Sequence, residues 1–180
     1  MTEVAGPPPS PVHGRIAFVF DDHFDTDRII GAARMHDRRV HDPDYLQTWV
    51  MHDLDPGFAG AVTPGDVLVA GQLFGFGHPH AQAMRAMRAL GIRTVVAESF
   101  FPTFECNERH AGMILLACPG VSAHARRGDP IEVDWRRAIV LLPGASAVLT
   151  AVPLTDHEIA CLQAGGEREW LLRAMRGGIA

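Results

Sequence analysis

Cysteine is scarce in this chain: three in 180 residues, at Cys106, Cys118 and Cys161. They form neither a C-x-x-C pair nor a disulfide framework, and an odd count points to a reducing compartment. The spacing also argues against a zinc or iron–sulfur site built by this chain alone, because such sites use closer ligands. Basic runs are equally sparse. Sixteen Lys+Arg stand against 21 Asp+Glu, a formal net charge of −5, and no basic stretch exceeds a pair such as Arg38-Arg39 or Arg126-Arg127. Neither nucleic acid nor an anionic lipid surface is therefore an expected partner. No apolar run approaches the roughly 20 residues that span a bilayer. The opening segment MTEVAGPPPSPVHG lacks the basic-then-apolar order of a signal peptide. The expected location is cytoplasmic.

What remains is the composition of an ordinary globular chain, 47% apolar and 21% charged. The length suits one domain with a sizeable core. Prolines crowd residues 1–13, which read as a flexible or extended tail, and the domain is expected over 14–180. There is no internal repeat.

Arg15 to Phe20 is β-branched and aromatic, the pattern of a first strand. Asp66–Ala70, Arg93–Ala97 and Met113–Ala117 read as further strands, and Pro79–Leu90 as a helix with Ala83, Met84, Met87 and Leu90 at core spacing. A strand–helix–strand order implies parallel strands. Asp44–Met51 reads as a short helix, and Asp53–Gly60 and Ser99–His110 as connections. Three short strands, Ile131–Asp134, Ala138–Leu142 and Ala147–Ala151, suggest an antiparallel meander. Thr155 to Glu158 has the capping-box pattern before a helix that Gly165-Gly166 ends, and a last helix spans about Glu167–Arg176. The predicted fold is a single α/β domain with a mixed sheet.

Between the second strand and the helix lies Gly71-Gln72-Leu73-Phe74-Gly75-Phe76-Gly77-His78-Pro79-His80. Glycines at 71, 75 and 77 allow backbone shapes that side chains forbid. A helix start beyond them aims unpaired N–H groups into the same space, which suits a carboxylate or phosphate. His78 and His80 add groups that exchange protons near neutral pH. A second loop, Asp21 to Arg28, carries four acids within seven positions directly after the first strand. Its plain reading is a solvated turn capping a helix.

Five stretches carry a resemblance: DDHFDTDRII (21–30), DPGFAGAVTPGDVLVAGQLFGFG (55–77), GIRTVVAESFFPTFECN (91–107), GDPIEVD (128–134) and LTDHEIACLQAGG (154–166). In this order the chain resembles the small subunits of 3-isopropylmalate dehydratases, which are similar to the swivelling β/β/α domain of aconitase. The resemblance implies a two-part hydro-lyase acting on a 2-hydroxy di- or tricarboxylic acid. It implies no cofactor on this chain and a 4Fe-4S cluster on a separate large subunit, whose open iron acts as Lewis acid. The small subunit then closes the site over a small carboxylic-acid substrate.

One departure stands out. Where the family has glycine–serine–serine–arginine–glutamate, this chain has Gly77-His78-Pro79-His80-Ala81. His78 takes the place of the serine that accepts the substrate proton, and neutral imidazole is already a base near pH 7. His80 replaces a carboxylate-holding arginine and lacks its bidentate fork. A substrate or binding mode unlike 3-isopropylmalate is expected. The resemblance makes Asp27 the residue that orients proton transfer, with Asp25, Thr26, Gly75 and Gly77 shaping the substrate loops. Arg28 and Arg34 are the nearest arginines to replace the lost clamp, and Arg34 lies in the family's selectivity segment. The structural alternatives are local turn stabilisation by Asp25–Asp27, an exposed Arg34, and helix capping by His78. A metal held by His78 and His80 would need further ligands. Ser99 and Asn107 read as structural, and Cys106 as a small buried hydrophobe. The competing function is a stand-alone, non-catalytic swivel domain that binds an anion or a protein.

Overall fold

The computed structural model describes residues 7–31, 34, 37–77 and 81–177. Its frame is a seven-stranded sheet: β1 (Val12–Phe20), β2 (Val67–Ala70), β3 (Thr94–Ala97), β4 (Ile114–Ala117), β5 (Pro130–Asp134), β6 (Ile139–Leu142) and β7 (Ala147–Thr150). The spatial order is β4-β3-β2-β1-β5-β6-β7. β1 belongs to both halves. Its first residues, Val12–Arg15, pair antiparallel with β5, and Ile16–Phe20 pair parallel with β2, with a register shift between Ile16 and Phe18.

The two halves differ because their burial differs. β2 and β3 are buried at every position, and their runs VLVA and TVVA are continuously apolar, as a strand covered on both faces must be. β5 and β6 alternate buried and half-exposed positions, so the meander they form with β7 turns one face to the core. The predicted parallel pairing of β2 with β3 is present, in the register Val67–Thr94 to Ala70–Ala97.

One face of the sheet is covered by α1 (Pro43–Gln47), α2 (Phe58–Ala61), α3 (Ala81–Ala89) and α4 (Pro102–His110). α3 turns Ala83, Met84 and Met87 inward as their spacing predicts, with Ala86 buried beside them and Leu90, beyond the helix end, half-buried. The other face buries Trp135 with Val133, Leu116 and Leu162. It is closed by α5 (Val121–His124) and α6 (Asp156–Ala164), and α7 (Glu167–Met175) follows. Thr155 and Glu158 form the predicted capping box, and Gly165 ends α6 at φ 97°.

Several boundaries differ from the sequence expectation. The expected loop Ser99–His110 contains α4, which starts with Pro102 in its first turn, where a missing N–H costs nothing. The helix expected over 44–51 stops at Gln47, and Met51 sits at φ 59°. The connection 53–60 holds the start of α2. Regular structure begins at Val12, before Gly14, because the chain is already tied to β5 and the turn after it. Trp135 donates its indole N–H to the Pro9 carbonyl at 2.7 Å, and Ser10 donates to Asp134 at 3.1 Å.

Candidate functional site

Three loops meet at the C-terminal ends of β1, β2 and β3. Gly71 N donates to Phe20 O at 3.0 Å and His23 N to Gln72 O at 2.7 Å. Gln72 N donates to the Asp22 carboxylate at 2.7 Å. Further along, Asp25 and Phe76 form a parallel bridge, and Thr26 N donates to Phe76 O at 3.1 Å. The third loop joins through Phe74 N to Ser99 O and Phe101 N to Phe74 O, while the Ser99 hydroxyl accepts from Leu73 N at 2.9 Å. The Ser99 side chain thus ties its loop to the glycine loop.

Phenylalanines hold the junction from beneath. Phe20 from β1, Phe24 from the first loop, Phe74 from the glycine loop and Phe104 from α4 form one cluster, with ring centroids 4.4 to 5.3 Å apart along the chain of contacts. Each such pair contributes about 0.5–1.5 kcal/mol beyond the area it buries. The backbone above them is strained: His23 and Leu73, which are not glycines, sit at φ 55° and 51°. Outliers of this kind persist only where surrounding contacts over-determine them.

Two glycines are required by this close approach. A Cβ on Gly75 would lie 2.1 Å from the Phe104 ring, and one on Gly77 would lie 2.2 Å from Asp25 Oδ1. Both residues also have positive φ, 93° and 111°.

Between these loops, α3 and α4 lies a pocket of about 130 Å³, lined by Thr26, Gly75, Gly77, Ala81, Arg88, Phe101, Thr103, Phe104, Asn107, Glu108 and Ala111. Of the residues singled out from the sequence, Thr26, Gly75, Gly77 and Asn107 face it. Asp25 does not line it; its carboxylate accepts from Asp27 N at 2.9 Å and caps the short helical turn Thr26–Arg28. Asp27 is half-buried in that turn. Neither candidate clamp reaches the pocket. Arg28 is exposed with its guanidinium 5.1 Å from the Phe24 ring centre, and Arg34 stacks 3.5 Å above Trp49. His78 and His80 lie outside the described residues.

The sequence reading missed the contribution of α4. Thr103, Asn107 and Ala111 recur every four residues, and Phe104 and Glu108 sit beside them, so one helical stripe walls the pocket. The signal was available in Pro102 followed by that spacing. Arg88 was missed as well. It pairs with Glu108, which is 5% exposed, and burial pushes the Glu108 carboxyl up while the guanidinium opposes that shift.

A larger cavity, about 220 Å³, opens elsewhere between α4, β4 and α6, and neither loop contributes to its lining. Cys106 stands at its rim and is exposed, contrary to the buried position expected, because α4 presents it to solvent four residues before His110. Cys118 and Cys161 are buried. Burial and the Glu98 charge lift the Cys118 thiol to about 11, and burial with Glu167 raises Cys161. A thiolate-specific reagent at about pH 8 is thus expected to modify one cysteine rapidly and the other two only after unfolding, since reaction follows thiolate fraction and access. Rapid modification of all three, counted by mass spectrometry, would contradict this. Among the described residues no group of three or more His, Cys, Asp or Glu is placed to hold a metal ion. No described helix is long and apolar enough to cross a membrane.

Comparison with known proteins places this geometry. The aconitase C-terminal domain family matches residues 30–120. The 3-isopropylmalate dehydratase small subunit 1 of Methanopyrus kandleri is 39% identical over 162 residues, covering 90% of this chain and 93% of that protein. The chain belongs to the 3-isopropylmalate dehydratase small-subunit family. A further relative, the small subunit from Halothermothrix orenii, is 34% identical over 89% of this chain and 93% of its own length. The crystal structure of 3-isopropylmalate dehydratase from Methanocaldococcus jannaschii superposes with a TM-score of 0.81 at 29% identity, covering 92% of this chain and 96% of that one. The predicted α/β architecture is thus the family's. Membership makes the chain the small subunit of a heteromeric aconitase-family dehydratase, a hydro-lyase that works with a large subunit. The stand-alone, non-catalytic alternative is not favoured.

Proposed function

We propose that this small subunit completes the active site of a hydro-lyase that dehydrates or isomerises a 2-hydroxy di- or tricarboxylic acid other than 3-isopropylmalate. The observation that carries the reading is the pairing of Asp25 with Phe76, which joins the 21–28 loop to the glycine loop at one pocket. Family membership supports the reaction class. The altered Gly77-His78-Pro79-His80-Ala81 run supports a different acid.

In this reading His78 takes the substrate proton and Asp27 orients the transfer. Thr26, Gly75 and Gly77 shape the wall the acid meets, and Asp25 holds the loop by capping it. His80 stands where the family's carboxylate-holding arginine does, while Arg28 and Arg34, stacked on Phe24 and Trp49, take no part in holding the acid. The 4Fe-4S cluster belongs to the large subunit and supplies the Lewis acid toward the substrate hydroxyl. The described cysteines of this chain do not fit a cluster, since Cys118 and Cys161 are buried and Cys106 stands exposed on α4. Three unpaired thiols agree with a cytoplasmic setting.

The test is co-expression with the large subunit, anaerobic cluster reconstitution and a panel of 2-hydroxy acids that includes 3-isopropylmalate. Dehydration of one panel member, with 3-isopropylmalate turned over at least about tenfold less efficiently, is expected for a site that has lost a bidentate guanidinium contact. A complex that loads its cluster and dehydrates none of them defeats the proposal, and one that prefers 3-isopropylmalate defeats the substrate assignment.

A further inference from the structure

The family's carboxylate-holding arginine is absent at position 80, and the two described arginines that follow the Asp25-Thr26-Asp27 motif, Arg28 and Arg34, are spent on aromatic rings. A di- or tricarboxylic acid still needs a cation in the pocket, because a carboxylate brought out of water without a partner is costly. Among the described residues the pocket is lined by one guanidinium. Arg88, on the last turn of α3, lines it together with Thr26, Gly75 and Gly77. Ala81 from the first turn of the same helix lines it too, so the pocket runs along α3.

Resting on the reading above, we infer that Arg88 takes over the missing clamp and receives a substrate carboxylate, with Glu108 as the positioning residue that holds its guanidinium in the pocket wall. Glu108 engages Arg88 through Nη1, and its own side chain is almost fully buried, so the anchor is fixed on α4. A guanidinium carries five N–H donors, and Glu108 engages Arg88 at Nη1, so the pair can still present a donor to an anion. Thr103 and Asn107, one and two turns along the facing stripe of α4, add neutral hydrogen-bonding groups that can complete the contact. The volume of about 130 Å³ lies well below the roughly 300–1,000 Å³ of sites for drug-sized ligands, which fits a small organic acid.

The sequence contains no lysine, so every strongly basic side chain is a guanidinium. Arg88→Lys is therefore an informative variant. It keeps the charge opposite Glu108 and removes the planar fork.

Two measurements test the inference. In the reconstituted complex, with whichever dicarboxylic acid the wild type turns over, Arg88→Ala is expected to raise KM about ten- to hundredfold, as for loss of a charge-assisted hydrogen bond. kcat should change much less, and Arg88→Lys should fall between. KM within about twofold of wild type in a folded Arg88→Lys complex overturns the inference, because a purely structural ion pair tolerates lysine. The second measurement uses the isolated full chain, titrated with malate while the arginine Nε–H resonances are followed by NMR. A saturable shift of the resonance that Arg88→Lys removes is expected, weaker by about tenfold with lactate, which lacks the second carboxylate. No Arg88-dependent shift overturns the inference where no activity exists to assay. A malate-responsive Arg88 in a complex that dehydrates nothing would defeat the hydro-lyase reading and leave the anion site standing.

Discussion

His78→Ala is expected to lower kcat of the reconstituted complex by about 10²–10⁴-fold, the range for loss of a positioned general base. Assembly with the large subunit should be unchanged by size-exclusion chromatography. The argument starts from covalent order. His78 follows Gly77, and Gly77 lines the pocket with Thr26 and Gly75. A serine in that place needs strong stabilisation of its alkoxide, whereas an imidazole is half deprotonated near its ordinary pKa of about 6.5. The sign follows from the role. A base must be neutral, so wild-type kcat should fall as pH drops through the imidazole range, and the residual activity of His78→Ala should lack that acid limb. An intact complex of His78→Ala that turns over at the wild-type rate removes His78 from the mechanism.

Gly75→Ala carries the second large effect, on stability. Gly75 has φ 93°, and its Cβ would sit 2.1 Å from Phe104 Cγ, a ring locked among Phe74, Phe100 and the backbone of α4. Left-handed strain of about 1–2 kcal/mol adds to an overpacking cost of about 1–3 kcal/mol. The variant is expected to lose about 2–5 kcal/mol in chemical denaturation, or roughly 4–20 °C in Tm for a chain of this size. Gly120 provides the control. It has φ 87°, and nothing lies within 4 Å of its Cβ position. Gly120→Ala should therefore show the strain without the collision, about 1 kcal/mol. Equal losses at the two positions would mean that the Phe104 ring yields and does not fix the loop. The functional consequence is local, because Phe104 also walls the pocket.

The two variants probe different links between sequence and site. The histidine is visible as chemistry in a single line of sequence, while the collision at Gly75 exists only because α4 brings Phe104 beneath the glycine loop. The same division runs through the candidate residues. Thr26, Gly75 and Gly77 were chosen from motif and spacing, and they line the pocket. Arg28 and Arg34 were chosen by proximity along the chain, and both stack on aromatic rings instead. Sequence distance is a poor guide to where a long side chain ends, because several rotatable bonds let it settle on whichever flat surface or carboxylate lies within reach. A lone cysteine is usually a small buried hydrophobe, but Cys106 is exposed because its place on α4 turns it away from the sheet.

Periodicity and punctuation settled the elements of this protein. Continuous apolar runs make β2 and β3, alternation makes the antiparallel meander, an inward stripe makes α3, and a capping box starts α6; all of these are interactions between residues a few positions apart. Which loops share a pocket, and which guanidinium enters it, was decided only by packing. Asp25 meets Phe76 across 51 positions of chain, and Arg88 meets Glu108 across two helices. Contacts of that kind depend on how the sheet brings loop ends together, and no local pattern of hydrophobicity encodes them.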